Sequence, residues 1–188
     1  MPPLFPISLK VEGRRVLVVG GGNVAESKTQ SLLEAGALVH LVAPEIRFDI
    51  AHPNLTLIRR EFEPSDLDGC WLAIAAAPAE VNRDVSAAAT DRRIFVIAVD
   101  DLASATAYGV AVVRRAGVTL GISTDGAAPA LSGLIREGLE RVLPDDLDAW
   151  SDLARTTRST WREQRVPMSE RRPLLLRALN QLYGERSE

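Results

Sequence analysis

Cysteine is nearly absent: Cys70 stands alone, which excludes an intramolecular disulfide and a cluster of thiolate metal ligands. Histidine is scarce too, with only His40 and His52, so a His-rich metal site is not expected. Any metal would have to arrive with a substrate. Lys10 and Lys28 are the only lysines, and the remaining basic residues are arginines, several paired as Arg59-Arg60, Arg92-Arg93, Arg114-Arg115 and Arg171-Arg172. Arginine suits bidentate binding of carboxylate or phosphate, although such pairs also serve as solvated surface charge. The formal net charge of −3 gives no reason to expect nucleic acid as a partner. No apolar run approaches the roughly 20 residues that span a bilayer, and Met1-Pro2-Pro3-Leu4-Phe5-Pro6 lacks the basic and apolar regions of a signal peptide. A cytoplasmic protein without a membrane partner is expected.

What is present is an ordinary globular composition, 46% hydrophobic and 25% charged over 188 residues. That length allows one substantial core and a smaller appended unit. The organising stretch is Val16-Leu17-Val18-Val19-Gly20-Gly21-Gly22-Asn23-Val24-Ala25. An apolar strand runs into three glycines, and a helical pattern follows at once. In the spacing Gly-x-Gly-x-x-Ala, Gly20 permits a sharp turn, Gly22 carries no side chain to hold a pyrophosphate away, and Ala25 lets the helix pack closely. The first N–H groups of such a helix lack internal partners and face an anion. Ordinary turns also use glycine, but the strand before and the helix after favour a nucleotide site.

The chain continues in the same rhythm. A short edge strand is expected at Ile7, Leu9 and Val11, strand one at 15–19, a helix from about Val24 to Ala35 closed by Gly36, and a buried strand at 38–43. Glu45 lies 23 positions beyond Gly22, where nicotinamide-binding units place an acid for the adenosine ribose hydroxyls. A carboxylate there disfavours a 2′-phosphate and so favours NAD over NADP, with Arg47 a nearby counterweight. Strands at 55–58, 71–76 and 94–99 alternate with an acidic turn at 61–68 and a helix over 79–90, which implies a parallel, doubly wound sheet. Its ligands belong outside the carboxyl ends of the strands, where Ala75-Ala76-Ala77-Pro78, Asp100 and Asp101 stand. Beyond Asp101 a hairpin is expected at 110–113 and 118–122. Ser123-Thr124-Asp125-Gly126 then leads into a helix to about Val142 with Leu131, Leu134, Ile135, Leu139 and Val142 at helical spacing. That helix start could hold an anion or be ordinarily capped. Two more helices follow, one with the stripe Leu147, Trp150, Leu153, Thr157 and Trp161, the other with Leu175, Leu176, Leu179 and Leu182 behind Ser169 as N-cap.

In motif order, Val18 to Ala25, Cys70 to Ala76, the strand ending at Asp100, Ile122 to Pro129, and Met168-Ser169-Glu170-Arg171-Arg172 resemble the precorrin-2 dehydrogenase family, which includes the dehydrogenase/ferrochelatase half of siroheme synthases. The resemblance implies an α/β fold: a Rossmann-like parallel-sheet domain over 1–112, a small α+β dimerisation segment over 113–146, and a helical C-terminal domain over 147–188. It implies a homodimer that oxidises precorrin-2 to sirohydrochlorin with NAD⁺, with Fe²⁺ insertion, a lyase activity, as a further step in some members. The family's essential aspartate falls on Asp100, and its NAD contacts fall on Asn23, Val24, Pro44 and Glu45 beside Gly20 and Gly22. Two departures bear on substrate preference and chelation. Ala107-Tyr108-Gly109-Val110 stands where relatives show Phe-x-x-Pro, and Asp125 replaces a glycine of a Ser-Thr-Gly-Gly-like turn.

On this reading Asp100 accepts the proton released with the hydride, with Asp101 as the alternative base. Ser123, Thr124, Arg114, Arg115 and Arg136 are candidates for the eight acid groups of the tetrapyrrole. The rival reading is an NAD(H)-binding sensor or regulatory subunit without turnover.

Overall fold

The computed structural model describes residues 3–184. Met1 and Pro2, which open the segment expected to be no signal peptide, and residues 185–188, at the end of the expected helical domain, lie outside it. The chain divides between Gly109 and Val110 into two compact units.

The first unit is a five-stranded parallel sheet of β1 (Arg15–Val19), β2 (Leu38–Val42), β3 (Leu55–Ile58), β4 (Leu72–Ala75) and β5 (Phe95–Ala98), in the order β3-β2-β1-β4-β5. Alternation along β1 builds both cores. Val16 and Val18 face a cluster with Ala25, Leu33, Val39 and Leu41, whereas Leu17 and Val19 face one with Ala73, Ala75, Val85 and Ala89. The helices α1 (Asn23–Glu34) and α2 (Ala79–Asp91) therefore cover opposite faces, and β1 and β4 read as continuous apolar runs because both their sides are buried. Gly36, at φ 76°, ends α1 as expected.

The expected N-terminal edge strand is not formed. Residues 3–12 pair with no strand, Ile7 is exposed, and only Val11 enters the core. Within the acidic turn, a 3₁₀ turn at Pro64–Leu67 is pinned by Asp66, which accepts from Arg60 Nη1 at 2.8 Å and the Glu63 N–H at 2.9 Å. Burial opposes the charge of Asp66, yet these donors hold its carboxyl below the usual range. Cys70 packs beneath, and burial pushes its thiol up, away from reactivity. After β5 the chain doubles back: the Thr106 and Ala107 N–H groups donate to the Val96 carbonyl, and Val96 N–H donates to Thr106 Oγ1, which closes that sheet edge.

The second unit holds an antiparallel hairpin, β6 (Ala111–Arg115) and β7 (Val118–Ile122), turned by Ala116 and Gly117 at φ 52° and 77°. α3 (Pro129–Val142) packs on the hairpin. α4 (Leu147–Glu163) pairs with α5 (Met168–Gly184) through an edge-to-face contact of Trp150 with Tyr183. Two expectations change here. Ser169 is the second residue of α5 rather than its cap, because the helix already begins at Met168. Leu176 points outward, and Leu174 joins Leu175, Leu179 and Leu182 in partial burial. The α3 stripe stays open, with Leu131, Leu134, Ile135 and Val142 exposed, since a two-stranded hairpin has only one small face to offer.

Candidate functional site

The sheet order places the topological switch point between β1 and β4, and all five strands end at the same edge. There the glycines of the turn do three different things. Gly20 takes φ 129°, and a Cβ on it would meet the Ala76 carbonyl oxygen at 2.2 Å. A Cβ on Gly21 would meet the Glu45 carbonyl oxygen at 1.8 Å, so the turn and the loop after β2 touch backbone to backbone. The loop is tied there by the Arg47 N–H, which donates to the Gly21 carbonyl at 2.9 Å. A Cβ on Gly22 would meet nothing within 4 Å, and its φ of −97° suits any residue. The fold itself therefore requires glycine at positions 20 and 21 but not at 22.

Gly22 is the N-cap of α1, no side chain caps the helix, and Val24 in its first turn is 44% exposed. The opening has unpartnered helix N–H groups, an apolar side chain and room for a close approach. Pro44 and Glu45 stand exposed beside it, and Arg47 Nη2 donates to Glu45 Oε2 at 3.3 Å. Asn23 is exposed at the same helix start.

Asp100 follows β5 at this edge, exposed, with φ 57°. A non-glycine residue rarely takes that left-handed conformation, and Asp is among those that tolerate it. The neighbouring Asp101 is engaged. Its carboxylate accepts the Ser104 hydroxyl at 2.7 Å and the Ser104 N–H at 3.2 Å, and the Ser104 hydroxyl chiefly holds its pKa below the ordinary carboxylate value. No hydrogen bond or ion pair engages the Asp100 side chain among the described residues. The structure thus distinguishes two aspartates that the sequence left as alternatives.

The second unit holds the other candidates. Ser123 Oγ accepts from the Asp125 N–H at 3.0 Å, and Thr124 Oγ1 accepts from the Ala128 N–H at 3.2 Å, so both hydroxyls shape the turn before α3. Asp125 lies at φ 52°, a left-handed conformation that aspartate tolerates better than most non-glycine residues. Arg115 Nη1 donates to the Leu143 carbonyl at 3.0 Å, and Arg136 Nη1 pairs with Glu140 at 2.7 Å. Arg114 is exposed and has no such partner among the described residues.

Two contributors to the first unit's edge escaped the sequence reading. Gly21 occupies the variable position of its motif, and its constraint comes from a loop more than 20 residues away. Asn82 is 2% exposed and joins the ends of β4 and β5. Its signal was a polar residue on the α2 stripe that carries Val85 and Ala89.

A strand, glycine turn and helix at the switch point of a doubly wound sheet define a dinucleotide-binding fold. A family model described as "Putative NAD(P)-binding" matches residues 7–111, and the chain belongs to that family. The open cradle over Gly22 and the uncapped start of α1 fit such a group. Siroheme synthase of Citrobacter koseri is 40% identical over 173 residues, 89% of this chain and 38% of that protein. Siroheme synthase 2 of Klebsiella pneumoniae is 40% identical over the same span and shares. The chain therefore spans well under half the length of these relatives. A solved structure of SirC, a precorrin-2 dehydrogenase, aligns with a TM-score of 0.70 at 25% identity, covering 93% of this chain and 88% of that one.

Proposed function

We propose that this chain oxidises precorrin-2 to sirohydrochlorin with NAD⁺, as a step of siroheme synthesis. The observation that carries the reading is the unengaged Asp100 carboxylate at the edge that also bears the dinucleotide cradle, next to an Asp101 held by Ser104. The likeness to SirC over most of both chains, and to siroheme synthases over most of this one, supports the choice of substrate.

When bound, the nicotinamide supplies a hydride acceptor, and the macrocycle supplies the hydride as its conjugation extends. The protein's part is placement and proton handling. Gly22 and the first amides of α1 receive the pyrophosphate, with Asn23 and Val24 flanking it. Glu45, beside Pro44, accepts the ribose hydroxyls and disfavours a 2′-phosphate, which supports NAD; its pairing with Arg47 orients the carboxylate. Asp100 takes the proton released as the hydride leaves and, being exposed, passes it to water. Arg114 is the candidate for a substrate carboxylate, while Arg115 and Arg136 serve the fold.

The exposed Leu131, Leu134, Ile135 and Val142 of α3 support a homodimer in which a second copy covers this face, the role given to residues 113–146. The cytoplasm, with its NAD⁺ pool and reduced thiols, is the compartment this reading requires. Incubating the purified protein with precorrin-2 and NAD⁺ tests the reading by absorbance. NADH and sirohydrochlorin formed together support it, and NAD(H) binding without turnover favours a sensor. Adding Fe²⁺ or Co²⁺ afterwards tests chelation: a metallated spectrum supports that second activity, and unchanged sirohydrochlorin limits the chain to oxidation.

A further inference from the structure

Asn82 lies on the buried stripe of α2 with Val85, Ser86 and Ala89, and only 2% of it is exposed. A primary amide keeps such a place when both its ends are hydrogen-bonded. Asn82 Oδ1 accepts the Ala77 N–H at 3.0 Å, and Asn82 Nδ2 donates to the Val99 carbonyl at 3.4 Å. Both partners are backbone groups of fixed polarity, so the two ends of the amide are assigned without ambiguity.

Those partners are the exits of two neighbouring strands. The Val99 N–H still donates to Ala75 at 2.9 Å, and Asn82 carries the β4–β5 connection one step further by placing a side chain where the ladder has run out. Ala77 follows Ala76, whose carbonyl closes against Gly20 in the dinucleotide turn. The Val99 carbonyl shares one rigid peptide plane with the Asp100 N–H. A hydrogen bond to that carbonyl therefore sets the plane from which Asp100 departs at φ 57°. One buried amide links the wall of the cradle to the peptide that aims Asp100.

We propose that Asn82 is a positioning residue for proton transfer, acting through Asp100 by fixing that carboxylate relative to the Gly20 turn. The proposal rests on the reading of Asp100 as proton acceptor, and its test separates the two. Four variants are compared: Asn82→Ala, Asn82→Asp, Asp100→Asn and the double variant Asn82→Ala/Asp100→Asn. NADH affinity is read by fluorescence titration, turnover by NADH formation from precorrin-2, and backbone geometry by NMR shifts and amide exchange at Ala77 and Asp100.

Asn82→Ala is expected to hold NADH affinity within about threefold while kcat falls about 30–100-fold with little change in KM, the pattern of a displaced rather than a missing group. Asn82→Asp keeps an acceptor for Ala77 and loses the donor to Val99, so Ala77 protection should survive while kcat stays low. It also decides the matter should the alanine variant fail to fold. The double variant should be no slower than Asp100→Asn alone, since the two act as one unit. Wild-type kcat in either Asn82 variant, losses that multiply in the double variant, or NADH affinity falling as far as kcat would each overturn the proposal. Should the wild-type protein not oxidise precorrin-2, the functional reading fails by itself. Asn82 is then judged by NMR: loss of the left-handed signature at Asp100 in its variants supports positioning, and an unchanged signature overturns it.

Discussion

The Asp101 carboxylate accepts two hydrogen bonds from Ser104, one from its hydroxyl at 2.7 Å and one from its amide at 3.2 Å. These bonds favour the charged form, so Asp101 keeps its proton only below the ordinary carboxylate range. Ser104→Ala should raise the Asp101 pKa toward its ordinary value, read by NMR titration. The kcat/KM profile should not follow that change, because Asp101 is not the proposed base. An acidic limb that shifts upward with Asp101 would make Asp101 the base.

The glycine turn yields a paired prediction. Gly21→Ala sets a methyl group against the Glu45 carbonyl and should cost about 1–3 kcal/mol of stability in thermal or urea unfolding, as overpacking does. Gly22→Ala meets no protein atom and should unfold like wild type, yet weaken NAD⁺ binding by about tenfold, or 1.4 kcal/mol. Unimpaired binding in Gly22→Ala would place the pyrophosphate elsewhere.

Arg114 and Arg115 should behave oppositely. Arg115→Ala frees the Leu143 carbonyl at the end of α3 and should lower Tm by about 2–4 °C, equivalent to about 1 kcal/mol. Arg114→Ala should leave Tm unchanged and raise the KM for precorrin-2 about threefold or more, with a weaker salt dependence than wild type. An unchanged KM would remove Arg114 from substrate binding.

The open face of α3 is tested at Leu134, which is 65% exposed. Leu134→Glu should convert a dimer to a monomer in sedimentation velocity while leaving helix content intact. A monomeric wild type, or a dimeric variant, would contradict the proposed interface.

Much of the first unit was legible because its strands are buried on both faces and so announce themselves as apolar runs, with glycines marking the turn between strand and helix. That Glu45 stands beside the glycine turn was reachable by counting. Other features depend on distant chain. Gly21 is constrained by a loop that returns only after β2, and Asn82 looks like any polar residue on an amphipathic helix until β4 and β5 bring Ala77 and Val99 to it. Arg114 and Arg115 are indistinguishable in sequence, yet adjacent strand residues face opposite ways, so one meets the end of α3 and the other solvent. The α3 stripe has the spacing of a core helix, and periodicity alone cannot say whether its cover comes from the same chain. The N-terminal alternation of Ile7, Leu9 and Val11 found no strand to pair with.

The most direct measurement compares kcat for NADH formation from precorrin-2 and NAD⁺ in Asp100→Asn and Asp101→Asn, with NADH titration confirming that each variant keeps its cofactor site. Asp100→Asn should lose about 10²–10⁴-fold in kcat, the range of a missing general base, with Asp101→Asn within about threefold of wild type. Wild-type turnover in Asp100→Asn, or the large loss falling on Asp101→Asn instead, would contradict the account.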